Sequence, residues 1–173
     1  MDLGRPQDKA AKPPARLVLT TPAHFIAFGF GAGLSPFAPG TAGTLVAVPV
    51  WFALAWLPLP LYAVALAALI VFGIWNCGES SRLLGVPDHS GIVFDEIAGF
   101  CVAATPLLMG FQGSLWLGLL LAFVLFRIFD IFKPWPIRWL DSHVHGGFGI
   151  MADDLLAGVY AAFVLWGISA WMI

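Results

Sequence analysis

The sequence predicts an all-α integral membrane protein: a bundle of about five transmembrane helices, N-terminus cytoplasmic, preceded by a Gly/Pro-rich interfacial segment. Three observations lead there. The 173 residues are 60% hydrophobic and 10% charged, with a mean hydropathy of +0.91; an average soluble domain is roughly 25% charged. The apolar residues fall into long stretches separated by turn-forming clusters. The charges gather on what becomes one side of the bilayer once those stretches are threaded through it.

Arg5, Lys9, Lys12 and Arg16 precede the first apolar run, mixed with Asp2, Asp8 and prolines. Residues 1–22 therefore read as a disordered, uncleaved cytoplasmic tail, and 23–173 as a single membrane-embedded domain. Cys77 and Cys101 sit inside apolar segments, so no disulfide framework is indicated. GFGAGLSPFAPGTAGT at 29–44 lacks the GK[ST] of a phosphate loop and reads as a re-entrant or interfacial turn. In it, Thr41 is placed to cap the first span and leave backbone N–H groups near an anion.

The expected spans are Thr44–Leu57, Leu61–Asn76 extending toward Leu84, Ile92–Met109, Ser114–Phe132 and Ile150–Met172. PLP at 58–60, GVPDHSG at 85–91, GFQGS at 110–114, and KPWP followed by HGGFG supply the joints. With the tail cytoplasmic, residues 82–91 and 133–149 share its side. Every Lys and Arg then lies on that side or within a turn or two of it, while 58–60, 110–113 and the C-terminal end carry no charge. That asymmetry satisfies the positive-inside rule.

The same threading brings Asp95 and Glu96, then Asp130, then Asp153 and Asp154, to one depth from three separate helix ends. A carboxylate at the bilayer centre costs about 2.5–3.5 kcal/mol on insertion scales, and less near the interface. Protonation, pairing with Arg or Lys, or a bound divalent cation must offset five of them, unless they are simply interfacial and solvated. Gly99 follows Asp95 by four residues and Gly158 follows Asp154 by four, which puts both carboxylates on faces suited to close helix packing. An oxygen-only donor set suits Mg²⁺, Mn²⁺ or Ca²⁺ rather than zinc.

Arg127, Asp130 and Lys133 are spaced by three and form one stripe, with Arg138 following PWPI. Cations beside carboxylates fit a phosphate gripped by Arg127, Lys133, Arg138 and the backbone around Thr41. The plainer alternative is an Arg127–Asp130 salt bridge with Lys133 as a snorkelling anchor. His143 and His145 are available as proton carriers, although lone loop histidines are commonly just solvated. No nucleic-acid partner is expected.

Four stretches, GFGAGLSPFAPGTAGT (29–44), IVFDEIAG (92–99), FRIFDIFKPWPIRWLD (126–141) and HGGFGIMADDLLAG (145–158), resemble the phosphatidylglycerophosphatase A family. The resemblance covers nearly everything after the tail. It implies a bacterial inner-membrane enzyme, multi-pass with its site on the cytoplasmic face. It also implies a Mg²⁺ requirement and a phospholipid substrate, phosphatidylglycerophosphate, hydrolysed to phosphatidylglycerol and phosphate. Carried over by motif, the residues at stake are Asp95 and Glu96, then Arg127, Asp130 and Lys133, then Asp153 and Asp154; a metal-assisted hydrolysis would use Asp130, Lys133 and Arg127 as catalytic residues and take metal ligands from Asp95, Glu96, Asp130, Asp153 and Asp154. Water attack and a covalent phospho-Asp130 route both stay open.

Three rivals make different demands. A cation transporter or channel subunit needs polar residues right through the membrane, and the far half here is almost wholly apolar. A CDP-alcohol phosphatidyltransferase would carry DGxxAR…G…D…D within one helix pair, whereas these carboxylates are spread over three helices. A structural subunit leaves the carboxylates without purpose.

Overall fold

The computed structural model describes residues 12–172, and among them the chain is helical, with no strand. Two short helices, α1 (Ala15–Thr20) and α2 (Pro22–Ala27), lead into a 3₁₀ segment at Gly29–Leu34. Then come α3 (Pro39–Ala55), α4 (Leu59–Leu84) and α5 (Phe94–Ala103), a 3₁₀ segment at Thr105–Met109, α6 (Leu115–Phe132), α7 (Ile137–His143) and α8 (Gly146–Trp171).

Local chemistry sets these boundaries. Pro39 opens α3, where its missing N–H costs nothing and its fixed φ suits a helix. Gly85 closes α4 in the left-handed conformation that glycine adopts without penalty. Ser114 Oγ caps α6 by accepting from Leu117 N–H at 3.3 Å.

The expected disordered tail needs correcting where it can be seen. Residues 1–11 lie outside the described residues, but 15–20 are helical and Val18 is fully buried. Val18 gives this part of the chain an apolar side chain to bury, which a solvated tail lacks, while its neighbours Leu17 and Leu19 stay exposed.

Three helices, α4, α6 and α8, are long and apolar enough to cross a membrane. The 17-residue α3 is shorter. The third expected span, Ile92–Met109, does not form one crossing helix. Its α-helical part is the ten residues of α5, about 15 Å long. Pro106 explains the stop, since proline has no N–H to donate and disfavours helical backbone at the residue before it. Seven of the ten α5 residues are buried, so it serves as the centre of the bundle, with α3, α4, α6 and α8 packed against it.

Close approach to α8 depends on glycine at two crossings. A methyl group on Gly158 would overlap the Gly99 carbonyl, and one on Gly99 would come within 2.7 Å of the Asp154 carbonyl oxygen. At the second crossing a Cβ on Gly78 would lie 3.2 Å from the Gly147 Cα. Such contacts let helix backbones approach where lipid supplies no hydrophobic drive. In the last turn of α5, Tyr62 Oη donates to the Cys101 carbonyl at 2.6 Å, satisfying a terminal carbonyl inside the apolar interior.

Gly158→Leu should therefore force α5 and α8 apart. A loss on the order of 1–3 kcal/mol is expected from overpacking, read as a lowered unfolding midpoint of the detergent-solubilised protein. An unchanged midpoint would contradict this packing.

Candidate active site

One end of the bundle is charged, and it is built from four helix ends and a loop. The start of α3, the 88–90 loop, the first turn of α5, the last turns of α6 and the early turns of α8 surround a cavity of about 350 Å³. Six carboxylates (Asp88, Asp95, Glu96, Asp130, Asp153, Asp154) and two cations (Arg127, Lys133) line it. All seven motif residues expected to carry chemistry are among them.

The carboxylates fall into two groups. Asp130 Oδ2 lies 2.6 Å from Arg127 Nη1, and Asp153 Oδ2 accepts from Lys133 Nζ at 2.7 Å. Among the described residues Asp95, Glu96 and Asp154 are in no such ion pair. They each place one oxygen within 4.8 Å of the others'. Asp154 is only 3% exposed, and Glu96 Oε2 is buried without a hydrogen-bond partner. At an effective dielectric near 20, two ionised groups at that separation repel by on the order of 3 kcal/mol. An oxygen-only trio with an unsatisfied buried acceptor could hold a hard divalent cation.

Lys133 is shared. Its ammonium donates to Asp141 Oδ1 as well as to Asp153, both at 2.7 Å. Burial pulls its pKa down, but the two carboxylates raise it by more, so the net shift is upward from 10.5. Arg127 has a different surplus: its Nε is buried and donates to nothing among the described residues.

Backbone strain collects at the same place. Ala38 (φ 43°), Asp88 (φ 51°) and Lys133 (φ 43°) are three of the four non-glycine residues with left-handed backbone among the described residues, and all three line the cavity. Strained backbone of this kind clusters at functional sites.

Some expected residues are elsewhere. Thr41 does not cap α3, because the helix begins two residues earlier at Pro39 with Ala38 at its cap position; Pro39 and Gly40, not Thr41, line the cavity. Arg138 is exposed on α7 and does not line the cavity, since α7 starts at Ile137 and carries it away. His143 is exposed, stacked on Trp139 and bonded to Ser142 Oγ at 2.8 Å, and His145 is exposed at the start of α8. Asp153 and Asp154 sit two turns into α8, because that helix starts at Gly146 rather than Ile150. Sequence reasoning missed Asp88, Ser90, Gly40 and Asp141. In sequence Asp88 and Ser90 read as turn formers, and Asp141 is eight residues beyond Lys133, a spacing with no helical meaning.

The profile of the family described as Phosphatidylglycerophosphatase A matches residues 25–169. The chain belongs to the phosphatidylglycerophosphatase A family. It is 44% identical over 155 residues to Phosphatidylglycerophosphatase A of Escherichia coli (strain K12), covering 90% of this chain and 88% of that one. The counterpart from Haemophilus influenzae is 40% identical over 167 residues, covering 93% and 97%. A Bacteroides thetaiotaomicron protein provisionally described as a phosphatidylinositol-3-phosphatase is 44% identical over 155 residues, covering 86% and 93%. No solved structure matches. In this phosphatidylglycerophosphatase A family member the four motif stretches each supply part of the cavity: Ala38–Gly40, Asp95 and Glu96, Arg127 to Lys133, and Ile150 to Asp154.

The ion pairs of Lys133 have a pH signature. A folded-state pKa above the unfolded value means that its contribution is complete below about pH 10.4 and is lost as pH rises through the folded value. The unfolding midpoint of the wild type should thus stay level toward pH 9.5 and fall above about 10.4, with a shallower fall in Lys133→Met. Equal slopes in the two proteins would contradict the pairing.

Proposed function

We propose that this chain is a Mg²⁺-dependent phosphatase of the bacterial inner membrane that hydrolyses phosphatidylglycerophosphate to phosphatidylglycerol and phosphate, its cavity on the cytoplasmic face. One observation carries the reading: three carboxylates that form no ion pair among the described residues stand beside Arg127 and Lys133 in a single cavity. Negative donors alone would suit a cation site. Cations alone would suit an anion site. Both together suit a phosphate monoester held between a metal ion and basic side chains.

Asp95, Glu96 and Asp154 would hold the ion, with Asp130 and Asp153 adjacent. When bound, Mg²⁺ would neutralise phosphate charge and acidify a water. Arg127 offers its free Nε to equatorial phosphate oxygens, in a planar geometry that lysine lacks. Lys133 is oriented by Asp141 and Asp153 and adds a second positive charge. Asp130, paired with Arg127, is assigned the proton transfer, and a phospho-Asp130 intermediate is the competing route.

The lipid tails need a way in. Ile131 lines the cavity and is 65% exposed, so the headgroup can enter sideways while its acyl chains stay in the leaflet. The transporter reading is disfavoured because residues 97–126 and 155–173 hold no charged side chain to continue an ion path. The phosphatidylinositol-3-phosphatase description of one relative makes headgroup choice the natural variable to measure.

Purified protein in detergent should release phosphate from phosphatidylglycerophosphate in preference to phosphatidic acid and phosphatidylinositol 3-phosphate, and only with Mg²⁺ present. Asp130→Asn should lower turnover by at least about 10²-fold while still accumulating in the membrane. Wild-type turnover by that variant, or full activity in excess chelator, would remove this mechanism.

A further inference from the structure

Gly40 is the second residue of α3, and its backbone does not call for glycine. Its φ is not left-handed, unlike that of Gly29, Gly31, Gly85, Gly110 and Gly146. In a helix alanine would be preferred. The reason for glycine lies opposite. A methyl group there would overlap Glu96 Oε1 and would stand 3.1 Å from Arg127 Nη1 and 3.3 Å from Nη2.

Among the described glycines only Gly40 has charged side-chain atoms as its nearest neighbours. Gly33, Gly147 and Gly158 face backbone carbonyls, so a methyl at those positions would push segments apart. At Gly40 the obstructed atoms are the tips of two flexible side chains, which can swing aside without moving a helix. The fold would tolerate the change and the cavity would not.

We infer that Gly40 is a positioning residue whose bare Cα leaves room for the Glu96 carboxylate to stay beside Asp95 and Asp154 and for the Arg127 guanidinium to stay next to it. Among the described residues Glu96 Oε2 is buried without a hydrogen-bond partner, so a displaced carboxylate gives up no bond from that oxygen. The inference rests on the metal-site reading above.

The test is Mn²⁺ binding to the purified, detergent-solubilised protein, followed by the electron paramagnetic resonance signal of the free ion. Gly40→Ala is expected to stay folded and to weaken Mn²⁺ binding by at least about tenfold, the usual effect of disturbing a ligand's support. In a Glu96→Gln background the same Gly40→Ala change should alter binding by less than about twofold, since two changes acting through one group do not add. An equal loss in both backgrounds, wild-type affinity in Gly40→Ala, or failure of that variant to fold would each overturn the inference. Absence of a Mn²⁺ site in the wild type would overturn the metal-site reading along with it.

Discussion

Asp95, Glu96 and Asp154 concentrate negative charge at one end of a bundle whose outside is hydrocarbon-compatible, and much of the rest of the structure reads as a response to that charge. The two nearby cations do not cancel it. Arg127 is engaged by Asp130, and Lys133 by Asp141 and Asp153. Buried like charges without compensation cost several kcal/mol, a sizeable part of a folding stability of about 5–15 kcal/mol. Under the proposed function a divalent cation would remove the conflict, and a phosphate would then find both signs of charge already in place.

Packing fixes where the trio meets. Asp95 and Asp154 each stand one turn from a glycine, and those glycines, Gly99 and Gly158, lie where α5 and α8 cross with no room for a side chain. Helix spacing and carboxylate spacing are thus one quantity. The short α5 follows from the same design, since a central helix that delivers two carboxylates need not cross the membrane itself. At the opposite end Tyr62, Thr105 and Ser169 satisfy backbone groups without charge, which keeps ionised groups to one surface.

Much of the site was legible in the sequence because helical spacing is a strong signal. The i,i+4 relation of each carboxylate to a glycine and the three-residue stripe of Arg127, Asp130 and Lys133 both place side chains without knowledge of the fold. The division of labour among the carboxylates was not legible. It depends on Lys133 leaving the helix in a left-handed turn, which lets it reach Asp141 and Asp153. Thr41 drew attention as a capping residue type, yet the helix starts at Pro39 and the residue that meets the cavity is the one without a side chain. Asp88 looked like a turn residue and is one, but its turn is folded over the cavity. The α5 boundary went wrong for a simpler reason: an apolar run of spanning length conceals a proline stop.

The central claim is that the cavity lies wholly on one membrane surface. In a background with Cys77 and Cys101 replaced, single cysteines at Ala38, Ser90 and Ile131 on the cavity side and at Gln112 on the other can be labelled with a membrane-impermeant thiol reagent. Labelling of the first three only in inside-out vesicles, and of position 112 only in intact spheroplasts, is the result this account predicts. Labelling of positions 38, 90 and 131 from opposite sides would contradict it.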